Sequence, residues 1–266
     1  MIQASGRLRL DLALVERGLA ETRSRARALI MAGDVLVDGQ AVRQAGAPVS
    51  AADRVELRGK PRFVSRGGEK LAHALAVFRI DVGGRVCADL GASTGGFTDC
   101  LLQAGGRRVY AVDVGYGQLD DRLRTDERVI ALDRTNARYL ESLPENVNCV
   151  AIDVSFISLA LIFPAVVRIL DKDGDCVPLI KPQFEAGRAD VGKGGVVRSA
   201  EVHRKVLSNV IDAAAEAGFG IQNLTRSPLL GPKGNVEFLA HLKRGDGVAD
   251  VEGLIATVTP SEGAGA

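Results

Sequence analysis

The sequence predicts an α/β protein with a mostly parallel β-sheet, preceded by a small α+β unit. From about residue 85, short apolar segments alternate with helix-period segments, which is typical of a parallel sheet with helices on both faces. Residues 7–60 instead combine two short helical patterns with a hairpin signal. The first 66 residues carry a net charge of +5 and the rest carry −4, which indicates a basic module attached to a larger acidic one.

Composition and cysteine usage exclude several classes of protein. The longest uncharged apolar run, residues 156–167, has twelve residues, whereas a membrane-spanning helix needs about 20. The N-terminus has no apolar stretch of the kind found in secretory signals, so we expect a cytoplasmic protein. The cysteines are widely spaced, form no CxxC pair and predict neither zinc nor disulfides, and hence no metal. They are Cys87, Cys100, Cys149 and Cys176.

The first helix is expected within "RLDLALVERGLA". Leu12, Val15 and Leu19 recur at helical spacing, and Gly18 is a suitable stop. Asp11 precedes the apolar residues and is predicted to cap the helix.

The second helix is expected within "ETRSRARALIMAGDV", with Thr22 as its cap. Its apolar residues line one face, while three arginines lie near its start. These are Arg23, Arg25 and Arg27. Asp38-Gly39 then lies inside an alternating segment and predicts a type I′ hairpin, and "DRVELRG" predicts a further short strand.

Residues 7–42 resemble the S4-type RNA-binding domain, which has two helices followed by a small hairpin sheet. The resemblance implies that helix-borne arginines present a basic face to RNA phosphates and recognise shape more than sequence. The implied RNA-binding residues of this unit are Arg7, Arg9, Arg23, Arg25 and Arg27.

The rest of the chain supplies the elements of the parallel sheet. Strands are predicted at residues 85–90, 107–114, 128–133, 148–154, 175–181 and 235–242. Helices are predicted at residues 69–78, 96–103, 158–170 and 200–217. Residues 219–234 are predicted to form part of a hairpin, which favours an antiparallel pair of strands at the sheet edge. The predicted organisation is a small domain at 1–61, a linker at 62–69, a large domain at 70–245 and a disordered Gly- and Ala-rich tail at 246–266.

A glycine-rich turn follows the first strand of the large domain, in "VCADLGASTGGFTDCLL". Glycines at this position let the backbone approach a ligand at the carboxyl end of the strand. The turn lacks the lysine of a P-loop and departs from G-x-G-x-x-G. The next two strands end in Asp113 and Asp133, which are placed to accept hydrogen bonds from ribose hydroxyls and from an adenine amino group.

This pattern resembles the S-adenosylmethionine pocket of Rossmann-like class I methyltransferases, with an NAD-binding domain as the alternative. The cofactor-binding residues that it implies are Asp89, Gly91, Ser93, Gly95, Gly96, Phe97, Asp113 and Asp133. Phe156 is a further candidate for the pocket wall, although a core position fits it equally well.

Charged residues also stand at strand ends where apolar strands meet the ligand crevice. Asp153 ends the fourth strand, Lys181 ends the fifth, and Glu237 lies near the start of the expected edge strand. A charge at such a position is costly to desolvate unless it has a partner. With Lys70 they resemble the Lys-Asp-Lys-Glu tetrad of FtsJ-like ribose 2′-O-methyltransferases.

The chemistry of ribose methylation suits these residue types. A ribose hydroxyl is a poor nucleophile, and a lysine acts as its general base when a second cation nearby lowers the lysine pKa. We predict Lys181 as the base and Lys70 as the cation that stabilises the developing alkoxide. Asp153 is expected to orient the lysine, and Glu237 to position Lys70 or the ribose.

Over nearly the whole chain, an S4-type unit followed by this domain resembles the TlyA family of ribosomal RNA methyltransferases, also named haemolysins. "SRGGEKL", "DVSFISL", "LIKPQFE" and "VGKGGVVR" carry the resemblance. It implies 2′-O-methylation of cytidine in 23S RNA, with 16S RNA as a further possible substrate. Further RNA contacts are expected from Arg66, Arg188 and Lys193.

Two alternatives remain open from the sequence: a haemolysin that acts on membranes, and an RNA-binding ribosome-assembly factor without catalysis. The oligomeric state is also open. Finally, Gly67 and Gly68 are expected to form a hinge just before Lys70, which would let RNA docking influence the catalytic site.

Overall fold

The computed structural model describes residues 7–57, 59, 62–187 and 190–259. The chain divides into two compact units, residues 1–61 and 62–266. The predicted fold class is confirmed, because the second unit contains a mostly parallel seven-stranded sheet and the first is a small α+β unit.

The first unit packs two helices against short strands. Its elements, in chain order, are β1 (Leu8–Arg9), α1 (Leu10–Glu16), α2 (Arg23–Ala32), β2 (Val35–Val37), β3 (Gln40–Ala41), β4 (Pro48–Val49) and β5 (Val55–Leu57). Its small core is aliphatic, and Leu10, Leu14 and Ile30 are fully buried in it.

Local signals in this unit were predicted well, with one exception. Asp38 and Gly39 both have positive φ and join β2 to β3, which confirms the hairpin. The Thr22 hydroxyl accepts a hydrogen bond from the N–H of Arg25 at 3.2 Å, which confirms the cap of α2. The predicted cap at Asp11 is wrong: Arg9 occupies the N-cap of α1, and Asp11 lies inside the helix with its carboxylate engaged by distant arginines.

The second unit is built on seven strands. They are β6 (Val86–Leu90), β7 (Arg108–Val112), β8 (Val129–Leu132), β9 (Val147–Ile152), β10 (Leu170–Ile180), β11 (Phe219–Arg226) and β12 (Phe238–Arg244). Their order in the sheet is β11-β12-β10-β9-β6-β7-β8, and β12 runs antiparallel to both neighbours. Every residue of β6 is buried, as expected for a central parallel strand covered on both faces.

Helices cover the sheet and connect its strands. They are α3 (Gly67–Phe78), α4 (Gly96–Gln103), α5 (Asp121–Arg124), α6 (Phe163–Ile169), α7 (Pro182–Glu185), α8 (Ala200–Glu216) and α9 (Val251–Val258). The helix predicted at 158–170 is divided into a 3₁₀ turn, Leu159–Leu161, and α6. Ser158 caps the 3₁₀ turn, and a proline occupies the first turn of α6, where a missing N–H is tolerated.

The predicted position of the strand containing residues 235–242 is partly wrong. The antiparallel hairpin exists, but β11 forms the edge and β12 is inserted between β11 and β10. Because β12 runs opposite to its neighbours, its first residues lie at the carboxyl edge of the parallel strands. Glu237, just before β12, is therefore placed beside Lys181, just after β10, since Ile180 pairs with Phe238.

Residues 62–69 do not form a free linker. Phe63 is buried in the core of the second unit, the N–H of Val64 donates to Asp99 at 2.8 Å, and α3 begins at Gly67. A Cβ on Gly68 would lie 2.2 Å from the Phe63 ring. Gly68 therefore serves close packing, which is a different role from the expected hinge.

The expected disordered tail is also partly wrong. Asp250 caps α9 by accepting from the N–H of Gly253 at 2.8 Å. Ile255 is buried in the main core of the unit, so burial of a helix face outweighs the Gly- and Ala-rich composition. Residues 260–266 lie outside the described part of the chain.

The strand order creates a crevice at the carboxyl ends of β6 and β9. After β6 the chain adds strands on one side, and with β9 it returns to the other side of β6. Such a reversal leaves a crevice beyond the strand ends, where ligands bind in open α/β sheets.

Candidate active site

Lys70 and Glu237 form a buried ion pair at this crevice. Lys70 lies in the first turns of α3, and its Nζ donates to Glu237 Oε2 at 2.5 Å. The Glu237 side chain is fully buried, and the Lys70 side chain is 11% exposed. Gly231 makes room for the carboxylate, because a Cβ at that position would lie 2.0 Å from Glu237 Oε1. That oxygen has no hydrogen-bond partner among the described residues.

Lys181 and Asp153 form a second ion pair on the wall of the same cavity. Lys181 Nζ lies 2.6 Å from Asp153 Oδ1 and donates to the Ser155 hydroxyl at 2.9 Å. Lys70, Lys181, Asp153 and Ser155 all line a cavity of about 450 Å³. Three of the four predicted catalytic residues therefore line one cavity, and the fourth, Glu237, contacts one of them, Lys70. Ser155 was missed from the sequence, although it follows Asp153 by only two residues.

The glycine turn after β6 is pressed against the backbone of Asp153. Gly91 has a φ of +90°, and a Cβ there would lie 2.6 Å from the Asp153 carbonyl oxygen. The N–H groups of Gly91 and Ala92 both donate to the carbonyl of Val112, and that of Ser93 donates to Asp113 Oδ2 at 2.8 Å. The N–H groups of Gly91, Ala92 and Ser93 are therefore already used within the protein.

Asp89 lies fully buried beneath the cavity. Its Oδ2 accepts from the N–H of Thr98 at 2.8 Å and from the Thr98 hydroxyl at 2.7 Å. Its Oδ1 has no hydrogen-bond partner among the described residues. Burial raises the pKa of Asp89 to about 7, and the bonds from Thr98 oppose this rise.

A second cavity of about 470 Å³ adjoins the first and shares with it Gly91, Ser93, Asp153 and Ser155. Asp113 lines it and also accepts from the N–H of Gly115 at 2.7 Å. Asn136 and Gln118, which the sequence did not single out, also line it. Cavities of this size suit a nucleoside-sized ligand.

The remaining predicted pocket residues are distributed differently. Phe156 lines the second cavity but is 89% exposed, has a φ of +64° and packs on Phe184, so it stands at the mouth. Gly96 and Phe97 line the first cavity. Gly95, which precedes α4, instead lies against leucine side chains. Asp133 lines neither of these cavities, and its carboxylate pairs with Arg124 at 3.2 Å.

The predicted RNA-binding residues lie in several settings. Arg7, Arg25 and Lys193 are exposed. Arg66 lines the first cavity and donates to the Leu230 carbonyl at 3.2 Å. Arg188 lies outside the described residues. The other three bind one buried carboxylate, that of Asp11, and they are Arg9, Arg23 and Arg27.

The family follows from comparison with known protein families. Residues 63–244 match the model for FtsJ-like methyltransferases, which covers all of the site described above. The chain belongs to the FtsJ-like methyltransferases. Residues 8–55 match the model for the S4 domain, so the first unit is an S4 domain. Both matches agree with the families that the sequence motifs resemble.

Similar proteins match both units together. The 16S/23S rRNA (cytidine-2′-O)-methyltransferase TlyA of Mycobacterium tuberculosis is 47% identical over 89% of this chain and 90% of its own length. Hemolysin A of Brachyspira hyodysenteriae is 44% identical over 88% of this chain and 99% of its own length. A solved Streptococcus thermophilus structure, named as a hemolysin, has a TM-score of 0.73 at 43% identity and covers 96% of both chains.

Membership in this family makes the protein an S-adenosylmethionine-dependent methyltransferase. The crevice with its glycine turn is the feature of this chain where such a cofactor is expected.

Proposed function

We propose that this protein methylates a ribose 2′-hydroxyl of cytidine in ribosomal RNA, with 23S RNA as the main substrate and 16S RNA as a second. The observation that carries the proposal is that Lys70 and Lys181 line one cavity beside a glycine turn and that each contacts a carboxylate. The similarity to a 16S/23S rRNA (cytidine-2′-O)-methyltransferase over most of both chains supports the choice of substrate.

S-adenosylmethionine fits the two adjoining cavities. Asp113 faces the second cavity with a carboxylate that can accept from ribose hydroxyls, and Gly91 lets the ligand approach the strand end without a side chain. Asp89 lines the first cavity, and one of its carboxylate oxygens has no hydrogen-bond partner among the described residues. When bound, this cofactor supplies an electrophilic methyl group carried on a sulfonium.

Lys181 acts as the general base in its neutral amine form, after its ammonium has released a proton to solvent. Its Nζ would then take the proton of the 2′-hydroxyl, which makes the ribose oxygen a better nucleophile toward the methyl group that a bound cofactor would supply. Asp153 and Ser155 hold the ammonium that results, because both contact this nitrogen directly. A fixed position of the base relative to the hydroxyl supplies much of the rate.

Lys70 stabilises the negative charge that develops on the ribose oxygen. Glu237 keeps the ammonium of Lys70 in place, and Gly231 leaves room for the Glu237 carboxylate. Preorganised charges in a partly buried site act more strongly than in water, since the effective dielectric is lower.

The test is methyl transfer to purified ribosomal subunits from a cofactor with a tritiated methyl group. The expected result is RNA labelling that maps to a cytidine 2′-oxygen. RNA binding without any label would favour an assembly factor and overturn the proposal. Labelling of a base would still show methyltransferase activity but would exclude the ribose as its target.

Two lysine variants at opposite ends of β10 test the mechanism. Lys181→Ala is expected to lower kcat about 100- to 10,000-fold, the usual contribution of a general base. Lys172→Ala removes an exposed lysine near the start of the same strand and is expected to retain activity. A Lys181→Ala protein with wild-type kcat would exclude this base.

The name of the Brachyspira relative makes cell lysis a second candidate activity. No helix in the described part of the chain is long and apolar enough to span a membrane. Release of haemoglobin from red cells by the purified protein, undiminished in Lys181→Ala, would support lysis as an activity separate from methyl transfer.

A further inference from the structure

A buried carboxylate in the S4 domain is shared by three arginines. Asp11 has no exposed side-chain surface, and four N–H donors occupy its two oxygens. Arg9 donates through Nε and Nη2 at 3.0 and 3.2 Å, whereas Arg23 and Arg27 donate through Nε at 2.9 and 3.1 Å. These contacts hold the pKa of Asp11 far below its usual range, with the bond from Arg9 as the largest cause, so the carboxylate is charged at neutral pH.

The bonds to Asp11 leave other guanidinium donors unused. An arginine carries five N–H donors, and Arg23 and Arg27 each use only Nε here. Within the described part of the chain their terminal nitrogens have no acceptor. The side chains of Arg9, Arg23 and Arg27 remain 49%, 48% and 51% exposed. Three oriented guanidinium groups are thus available to a ligand from solvent.

The arrangement has more positive charge than the carboxylate needs. One guanidinium satisfies a carboxylate with two hydrogen bonds, as Arg9 alone does here. Adding Arg23 and Arg27 places like charges close together and leaves the cluster with a surplus of two positive charges. Helix packing does not require it, since α1 and α2 already share an apolar core that includes Leu14 and Ile30.

We infer that Asp11 is a positioning residue for RNA binding, which holds the guanidinium groups of Arg9, Arg23 and Arg27 in a preordered cluster for RNA backbone phosphates. The inference rests on the proposed function, because it takes RNA as the ligand. Phosphate is the matching chemistry, since arginine forks bind its oxygens with paired hydrogen bonds. Preordering matters because immobilising three long side chains on binding is costly in entropy.

Arg25 does not belong to the cluster of arginines around Asp11. It lies on α2 between Arg23 and Arg27, but its exposed side chain makes no contact with Asp11. Arg23 and Arg27 are four residues apart and share a helix face, whereas Arg25 points elsewhere.

The test compares two substitutions that each remove one negative charge from the full-length protein. Asp11→Asn removes the shared carboxylate, and Glu21→Gln removes an exposed one two residues before α2. If only net charge mattered, both variants would bind RNA more tightly. The expected result is opposite signs: Asp11→Asn weakens binding about tenfold, the scale of one charge-assisted hydrogen bond, while Glu21→Gln binds at least as tightly as wild type.

The measurement is the dissociation constant for an rRNA fragment over a series of salt concentrations. Asp11→Asn is expected to lower the salt slope by about 1, which corresponds to one lost phosphate contact. Equal or tighter binding by Asp11→Asn, with an unchanged slope, would overturn the inference. Cofactor affinity serves as the control for the methyltransferase unit and is expected to stay at the wild-type value.

A second pair of variants decides the question if Asp11→Asn does not fold. Arg27→Lys and Arg25→Lys both keep the charge, but only the first loses a contact to Asp11. The inference requires Arg27→Lys to weaken RNA binding more than Arg25→Lys, and equal effects would reject it. If the wild-type protein binds and methylates rRNA but the two variants behave alike, the role of Asp11 is rejected and the proposed function stands. Wild-type protein without RNA activity would reject the proposed function.

Discussion

Two groups of buried charge in this protein are built in opposite ways. In the S4 domain one carboxylate is shared by three half-exposed arginines, so positive charge is in excess. In the methyltransferase unit Lys70 and Lys181 each contact one carboxylate, and both pairs are largely buried. An excess of positive charge favours binding of a polyanion. Balanced pairs instead allow a proton to move within the site without leaving an unpaired charge where solvation is poor.

The largest difference between the two groups is expected in stability. Glu237→Gln leaves the Lys70 ammonium buried without its carboxylate, and we expect a loss of about 3–5 kcal/mol in the free energy of unfolding. Asp11→Asn is expected to cost clearly less, because its arginines are half exposed and regain water. Urea denaturation of both variants measures the comparison.

The double variant Lys70→Met/Glu237→Gln provides the control. Removing both charges is expected to restore most of the lost stability while methyl transfer stays low. If the double variant is as unstable as Glu237→Gln alone, the cost comes from packing, and the contrast with Asp11 no longer rests on charge.

A smaller effect is expected in the pH dependence of stability, because Asp89 is a buried carboxyl without a cationic partner among the described residues. Its folded-state pKa of about 7 lies above the ordinary value of 3.8, so its stabilising contribution is complete below pH 4 and is lost as the pH rises through 7. Relative to Asp89→Asn, the wild-type protein is therefore expected to lose a few kcal/mol between pH 4 and 7.

Denaturant unfolding of cofactor-free protein at several pH values tests this expectation. Taking the difference between the two proteins at each pH cancels groups that titrate in both, such as His203, whose pKa burial lowers. A difference that stays constant across this range would show that Asp89 ionises as freely as a solvated carboxyl.

The smallest effect concerns the helix that carries two of the clustered arginines. Thr22→Ala removes the N-cap of α2 and is expected to destabilise the S4 domain by about 1 kcal/mol. The salt slope of RNA binding is expected to stay unchanged, because Asp11 still holds the arginines. A slope reduced as strongly as in Asp11→Asn would mean that helix stability, not the carboxylate, orders the cluster.

Local patterns predicted much of the fold. The glycine turn, the Asp38-Gly39 hairpin and the Thr22 cap depend on residues close together in sequence, and the structure contains all of them. Predictions that required distant partners did worse. The helix α9 was missed because only burial of Ile255 against the core reveals it, and Gly68 was taken for a hinge because its close neighbour, Phe63, is set by packing.

The candidate site was predicted because charges at strand ends are visible in the chain. Parallel strands place their carboxyl ends at one edge, which is how Asp153 and Lys181 come to face one cavity. The partners of these charged residues were harder to predict from the sequence. Asp133 was assigned to the cofactor from its strand-end position alone, yet its carboxylate is turned toward Arg124.

The sequence by itself determined the two domains, the fold class and the residue types at the strand ends, because these follow from short-range periodicity and turn chemistry. Only the tertiary structure decided which charges meet. Lys70 and Glu237 are 167 residues apart, and the insertion of β12 beside β10 brings them together. Asp11 was expected to cap its own helix, but it binds arginines 12 and 16 residues further along. A buried charge takes the partner that the fold places within reach, and that choice depends on packing between elements.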